Sequence, residues 1–292
     1  MLGSKIAREL IARGGGATVR VTHRKDSKPD VVEKLRAAGA ELVVADLSDE
    51  ASLARACEGV DVVVCSVLGL RDTIVDGQTR LLRAAEKAGV ARMIPSDYSL
   101  DFFKTPDGGN RNSDLRREFS RALDASSVRG TSVLCGAFMD LLAFGAIGPD
   151  AKTGVFRVFG DGEQPWDFTA TDDVAKYVAT AARDAEAPRV VRVAGDARSP
   201  RELAVIFEEV RGMPVKIESA GSLEDLDATI ARLRAADEAS TSTFPVWQQL
   251  QYLRDMASGR GKLSPLDNDR YPSVRPVGVR EFLRARAAAP RG

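Results

Sequence analysis

His23, Arg24 and Lys25 form a cationic run directly after an apolar, β-branched stretch, Ala17-Thr-Val-Arg-Val-Thr22. Cations in a turn at a strand end suit an anion, and their distance from Gly3 indicates which one. In a dinucleotide-binding βαβ unit a glycine turn opens a helix and its third glycine lets helix and strand pack closely. About twenty residues on, an acid binds the ribose hydroxyl. Gly3 stands where the third glycine belongs, and the acid's place is taken by the three cations. Arg24 and Lys25, with Thr22 at the strand end, therefore suit the 2′-phosphate of NADP better than a bare ribose.

Asp46 and Ser66 each close an apolar strand-like run, and the ligand crevice of an open α/β sheet lies at such carboxyl ends. Asp46 and Leu47 are expected against the adenine, and Ser66, Val67 and Leu68 along the pyrophosphate and nicotinamide ribose. Each has a plainer alternative. Asp46 could serve as a helix N-cap, although Leu47-Ser48-Asp49 offers better ones, and the Ser66 hydroxyl could bond to nearby backbone.

The elements that must position these groups alternate. Ile6, Leu10 and Ile11 recur at helical spacing, predicting a helix over 4–13. The pattern then predicts a strand to Thr22, a helix over 29–38, a strand over 41–46, a short helix over 50–57 and a strand over 61–66. A helix over 72–88 and a strand over 91–95 follow. Strands alternating with helices predict a doubly wound, Rossmann-like parallel sheet covered on both faces. No strand precedes the first helix, so the first strand and first two glycines of the motif are missing. Either about ten residues stand upstream, or the chain is a shortened variant with a damaged phosphate cradle. An αβαβ start of some other layered domain is the plain alternative.

Composition narrows the function classes. The chain has 292 residues, enough for one large domain or one and a half. Its 42 cations and 42 acids give zero net charge, against nucleic acid as a main partner. No stretch is long and apolar enough to span a membrane, and no signal segment opens the chain, so a cytoplasmic protein is expected. Three scattered cysteines predict reduced core thiols. A single histidine sets aside a His-rich metal site and a Ser-His-Asp triad.

Ile94-Pro-Ser-Asp-Tyr98 after a strand, followed by Asn112-Ser-Asp-Leu-Arg-Arg-Glu-Phe-Ser-Arg-Ala-Leu123, resembles the NmrA-like and isoflavone-reductase-like group of atypical short-chain dehydrogenases. Gly160-Asp-Gly162, Phe168-Thr-Ala-Thr-Asp-Asp-Val-Ala175 and Arg270-Tyr-Pro-Ser-Val-Arg-Pro276 extend the resemblance to nearly the whole chain. It implies that Pro95, Ser96 and Asp97 sit beside the nicotinamide, and that Gly136 and Phe138 pack at the nicotinamide and substrate corner. Phe138 and Met139 could equally be core.

The chain departs from the group where the chemistry lies. Arg116 stands where reductase members carry a catalytic lysine, and no tyrosine has lysine four residues on. Arginine stays charged at any working pH, so Arg116 can hold an oxyanion but is a poor general acid. It could also be a solvated helix charge, paired like Arg117 with Asp114 and Glu118. Lys104 is a spare proton donor or an exposed loop lysine. The turn-rich stretch from Lys104 to Asn112 is either a mobile lid or a connector.

Beyond Gly136, Val155–Phe159, the Gly160–Gly162 turn and a return at Trp166–Phe168 predict a hairpin. Thr171 is expected to cap a helix to about Arg183 by accepting from backbone amides. The expected division is a dinucleotide-binding domain over 1–136, rejoined at 171–195, and a smaller α+β substrate-side lobe over 137–170 and 196–292. The functional expectation is an NADP(H)-dependent oxidoreductase moving hydride between nicotinamide and a small aromatic or conjugated carbonyl or quinone. Its rivals are a non-catalytic NADP-binding redox sensor that docks a regulatory protein partner, and a sugar-nucleotide or other ligand module.

Overall fold

The structure, a computed structural model, describes residues 1–288. It opens with α1 (Leu2–Ala12), which buries Ile6 and Ala7, followed by β1 (Arg20–His23). α2 (Pro29–Ala37) begins on proline, whose missing N–H is no loss in a first turn. β2 (Glu41–Val44) leads to α3 (Glu50–Cys57), capped by Asp49. After β3 (Val62–Val64) a π-helical turn, Asp72–Gly77, runs into α4 (Gln78–Lys87). β4 (Arg92–Ile94), α5 (Arg111–Asp124), β5 (Arg129–Gly130), β6 (Ser132–Leu134), β7 (Ala137–Phe138) and the one-turn α6 (Asp140–Ala143) follow. Then come β8 (Val155–Phe159), β9 (Trp166–Thr169), α7 (Thr171–Arg183), β10 (Val190–Arg192) and β11 (Asp196–Arg198). α8 (Pro200–Arg211), β12 (Lys216–Gly221), α9 (Leu223–Ala236), α10 (Val246–Ala257) and α11 (Val279–Ala288) complete the chain's main elements.

The chain forms two compact units. The first comprises residues 1–97, 115–133 and 174–191. Its strands are parallel: β1 with β2, β3 with β4, and β4 with β5. β10 lies beside β6, the Ser132 N–H donating to the Arg189 carbonyl at 2.9 Å. Among the described residues β1 pairs only with β2, and β3 only with β4, so β1 and β2 stand apart from β3, β4 and β5. The break falls where the common dinucleotide-binding order places its opening strand. Exposure marks it: Val62, Val63 and Val64 are half-buried, whereas Met93 and Ile94, on the strand paired along both edges, are fully buried.

The second unit comprises residues 98–114, 134–173 and 192–292 and is the larger of the two. It takes 98–114, which the sequence pattern placed in the dinucleotide-binding domain, because a buried polar network ties this stretch to α10. The Asn110 amide donates to Asp255 at 2.9 Å and accepts from Gln248 at 2.8 Å, and Arg254 donates to the Gly109 carbonyl at 2.7 Å. These bonds pin the end of the stretch from Lys104 to Asn112, at Gly109 and Asn110, to α10.

The expected hairpin does not form. β8 pairs in parallel with β12, while β9 lies between β7 and β11. Phe156 and Val158 point into a core with Leu203, Ile206 and Phe207 of α8, and β9, buried at all four positions, needs partners on both edges. Thr171 also differs from expectation: its hydroxyl donates to Asp140 at 2.5 Å instead of accepting from the helix. Ser199 and Glu202 do form a reciprocal capping box at the start of α8.

Candidate functional site

In the first unit the strands deliver Thr22, Asp46, Ser66 and Asp97 to the carboxyl edge of the sheet. Thr22, Arg24 and Lys25 are exposed there. Arg24 Nε lies 3.1 Å from Asp26 Oδ1, an exposed pair of little energetic consequence. Asp46 is also exposed, and it accepts from the Ser48 N–H at 2.8 Å and hydroxyl at 2.6 Å. Those bonds, with smaller help from Arg24 and Arg80, hold its carboxyl below the usual aspartate range. Arg80 Nε donates to the Leu47 carbonyl at 2.6 Å and fixes the Asp46–Leu47 turn. The helix N-cap role falls to Asp49, leaving Asp46 facing solvent.

α1 begins with no side-chain cap and no acid in its first turn. Its opening N–H groups and positive dipole end are available to an anion. A Cβ built on Gly3 would lie 3.5 Å from Ser66 Cβ, an ordinary contact, so this place admits a side chain and does not demand glycine. Leu68 is 62% exposed, an apolar side chain left open beside these polar groups.

Ser96 serves the architecture. Its Oγ donates to the Val67 carbonyl at 2.7 Å and accepts from the Val67 N–H at 3.0 Å. The Ser96 N–H in turn donates to Gln78 at 2.9 Å, and Gln78 donates to the Ile74 carbonyl at 2.8 Å. Gln78 directly follows the π-helical turn and is fully buried. It thus joins the segments after β3 and β4, holding Ser66 to Leu68 in place.

Asp97, next to the half of the segment buried with Pro95, is fully enclosed and accepts from Ser132 Oγ at 2.6 Å. Arg189 donates to Ser132 at 2.8 Å, to Ser120 at 2.5 Å and to Asp124 at 2.6 Å, anchoring that serine. Burial pushes the Asp97 carboxyl up; the Ser132 bond, Arg116 and Arg189 oppose this. Burial, reinforced by the charge of Asp97, drives the Cys65 thiol up to about 12, so it is no nucleophile.

Arg116 and Arg117 are each only 8% exposed. They are not the solvated helix charges that a surface pattern suggests, and Glu118 pairs with Arg71, Nη1 to Oε1 at 2.6 Å. Arg116 instead acts electrostatically on the buried Asp97. Ser132, Arg189 and Gln78 escaped the sequence reading. Ser132 and Asp97 are 35 positions apart, and no local pattern marks such a pair.

Gly136, Phe138 and Lys104 belong to the second unit. Gly136 has φ +67°, and a Cβ there would meet the Asp167 carbonyl oxygen at 2.3 Å. Phe138 is half-buried, whereas Met139 is core. Lys104 Nζ donates to the carbonyls of Lys262 at 3.0 Å and Ser264 at 2.8 Å. Among the described residues no cluster of His, Cys, Asp or Glu could hold a metal, and no helix is long and apolar enough to cross a membrane.

Known proteins resemble this chain. The NmrA-like family matches residues 1–244. A bifunctional pinoresinol-lariciresinol reductase from Linum perenne is 29% identical over 188 residues, covering 60% of this chain and 59% of that one, less than two thirds of its length. The isoflavone reductase homolog IRL of Zea mays is 29% identical over 282 residues, covering 91% and 88%. The NADPH-dependent quinone oxidoreductase QOR2 of Escherichia coli, solved with NADPH, superimposes with a TM-score of 0.75 at 21% identity, covering 97% and 95%. This last likeness bears on the fold, a Rossmann-like α/β sheet. The family match runs from α1 through both units and includes the segments that build the carboxyl edge: this chain belongs to the NmrA-like family.

Proposed function

We propose that the chain is an NADP(H)-dependent oxidoreductase that moves hydride between nicotinamide and a small aromatic or conjugated carbonyl or quinone. The observation that carries this is the trio of exposed residues Thr22, Arg24 and Lys25 at the end of β1, beside an ionised Asp46. Arg24 and Lys25 would hold the 2′-phosphate, and Asp46 with Leu47 the adenine side. The uncapped start of α1 and Ser66 to Leu68 suit the pyrophosphate and ribose. Pro95 to Asp97 are assigned to the nicotinamide side. The bound cofactor supplies the hydride; the chain's own residues bind, orient and stabilise charge. The names of the Linum, Zea and Escherichia proteins, all reductases or oxidoreductases, support the class. Cytoplasmic location goes with it, Cys57, Cys65 and Cys135 being buried thiols.

Titration with NADPH and NADH tests the reading. Arg24→Asp is expected to weaken NADPH about tenfold or more while NADH binding stays level; equal loss of both removes Arg24 from its role. A second reading, an NADP-binding redox sensor with a regulatory protein partner, is favoured by arginine at the lysine position. Tight NADPH binding without turnover on a carbonyl and quinone panel supports the sensor.

A further inference from the structure

We infer that Arg80 is the counter-charge to Asp46 and that it thereby sets the preference of the adenosine end for the phosphorylated cofactor. This rests on the reading of the chain as an NADP(H)-dependent oxidoreductase, which gives Arg80 no role.

Packing within the first unit brings Arg80 to this place. The Leu47 side chain packs against a core that holds Leu53 of α3 and Leu82 of α4. Gly77, one turn before Arg80, lets the helix come close, since a Cβ there would lie 3.1 Å from Leu47 Cδ1. Arg80 is half-buried, and its Nε donates to the Leu47 carbonyl at 2.6 Å. The guanidinium is thus moored before any ligand arrives, on the residue next to Asp46. The cations of the β1 turn come from the neighbouring strand end: β1 and β2 run in parallel with His23 opposite Val44. Arg24 there is exposed and pairs with its own neighbour Asp26.

The need for a further cation lies in the charge of Asp46. Its carboxyl is held below the usual aspartate range by the two Ser48 bonds first, with Arg24 and Arg80 adding to them. It is therefore ionised at neutral pH. An ionised acid at a strand end accepts from the hydroxyls of a bare ribose and repels a 2′-phosphate, which carries about two negative charges at neutral pH. Left alone, Asp46 would favour NADH. Of the acids at these two strand ends, Asp26 has Arg24 beside it and Asp46 has the moored Arg80. With both acids offset, the charge of Lys25 is left to favour the phosphate. Arginine suits the task because it keeps its charge at any working pH and can bond through Nε while its charge spreads over the whole group. Arg80 acts through Asp46, as a positioning residue that sets cofactor specificity and touches no reacting atom.

The experiment titrates the full chain with NADPH and with NADH by fluorescence in four forms: unaltered, Arg80→Met, Arg80→Lys, and Arg80→Met combined with Asp46→Asn. An unaltered chain that binds neither cofactor, or binds NADH better, defeats the reading and the inference together. R80M should lower the preference for NADPH over NADH about fivefold or more, mainly through weaker NADPH binding. Adding D46N should return the preference to within about twofold of the unaltered chain, because the uncompensated acid is gone. A variant that had merely loosened the Leu47 turn would weaken both cofactors and would not be rescued in this way. R80K, which keeps the charge, should hold the preference within about threefold, and it decides alone if R80M does not fold. The reading stands and the inference falls if the unaltered chain prefers NADPH but R80M weakens both cofactors equally, D46N leaves the lost preference as it was, or R80K loses the preference.

Discussion

Ser132 donates its hydroxyl proton to Asp97 across 2.6 Å, in a part of the first unit that water does not reach. Two strand ends are thereby joined by a side-chain bond, and the charge of Arg116 acts on the same carboxylate.

That enclosed carboxyl gives stability a pH slope. Burial raises the folded pKa of Asp97 above its ordinary 3.8, so the folded state binds more protons than the unfolded one. The contribution to stability therefore falls as pH rises from the unfolded value through the raised folded value. Asp97→Asn should lose this slope. Thermal melts of both forms at acid and neutral pH should show the advantage of Asp97→Asn growing toward neutrality; a constant difference would contradict the burial effect.

Arg92 is 3% exposed and sends its guanidinium to the carbonyls of Ala181 at 2.9 Å, Ala182 at 2.6 Å and Asp184 at 2.5 Å. It neutralises the negative end of α7 while satisfying carbonyls that the helix leaves open. Arg92→Met should cost about 3 kcal/mol by urea unfolding. A loss below about 1 kcal/mol would mean that water replaces the cation without penalty.

Gly136→Ala should be severe. The residue sits at φ +67° with no room for a methyl group over Asp167. Strain and overlap together should lower stability by about 3 kcal/mol or more, and unchanged chemical denaturation would show that the turn can open.

Asn110 joins Asp255 and Gln248 inside the second unit. Asn110→Ala should cost about 2 kcal/mol and make the stretch from Lys104 to Asn112 cleavable in limited proteolysis. Continued resistance would assign the anchoring to the Arg254 bond to the Gly109 carbonyl.

β1 and β3 each have one edge with no partner strand among the described residues. Their amides should exchange about tenfold or more faster than those of β4 in hydrogen-exchange mass spectrometry. Equal protection would show the break to be closed in solution.

The alternation of strand and helix was legible in the chain because period-two and period-3.6 apolar patterns are local. So were the cationic turn after β1 and the reduced thiols. The partner of β8, the anchoring of Asn110 and Lys104, and the burial of Arg116 were not. Each depends on groups far off in sequence, and a helix with arginine on it looks the same on paper whether that arginine faces solvent or a carboxylate. The chain by itself determined that an arginine stands where a lysine is expected. Only the tertiary structure decided that this arginine is enclosed, since bringing Asp97, Ser132 and Arg189 to one place requires three strands to pack before any of their side chains can meet.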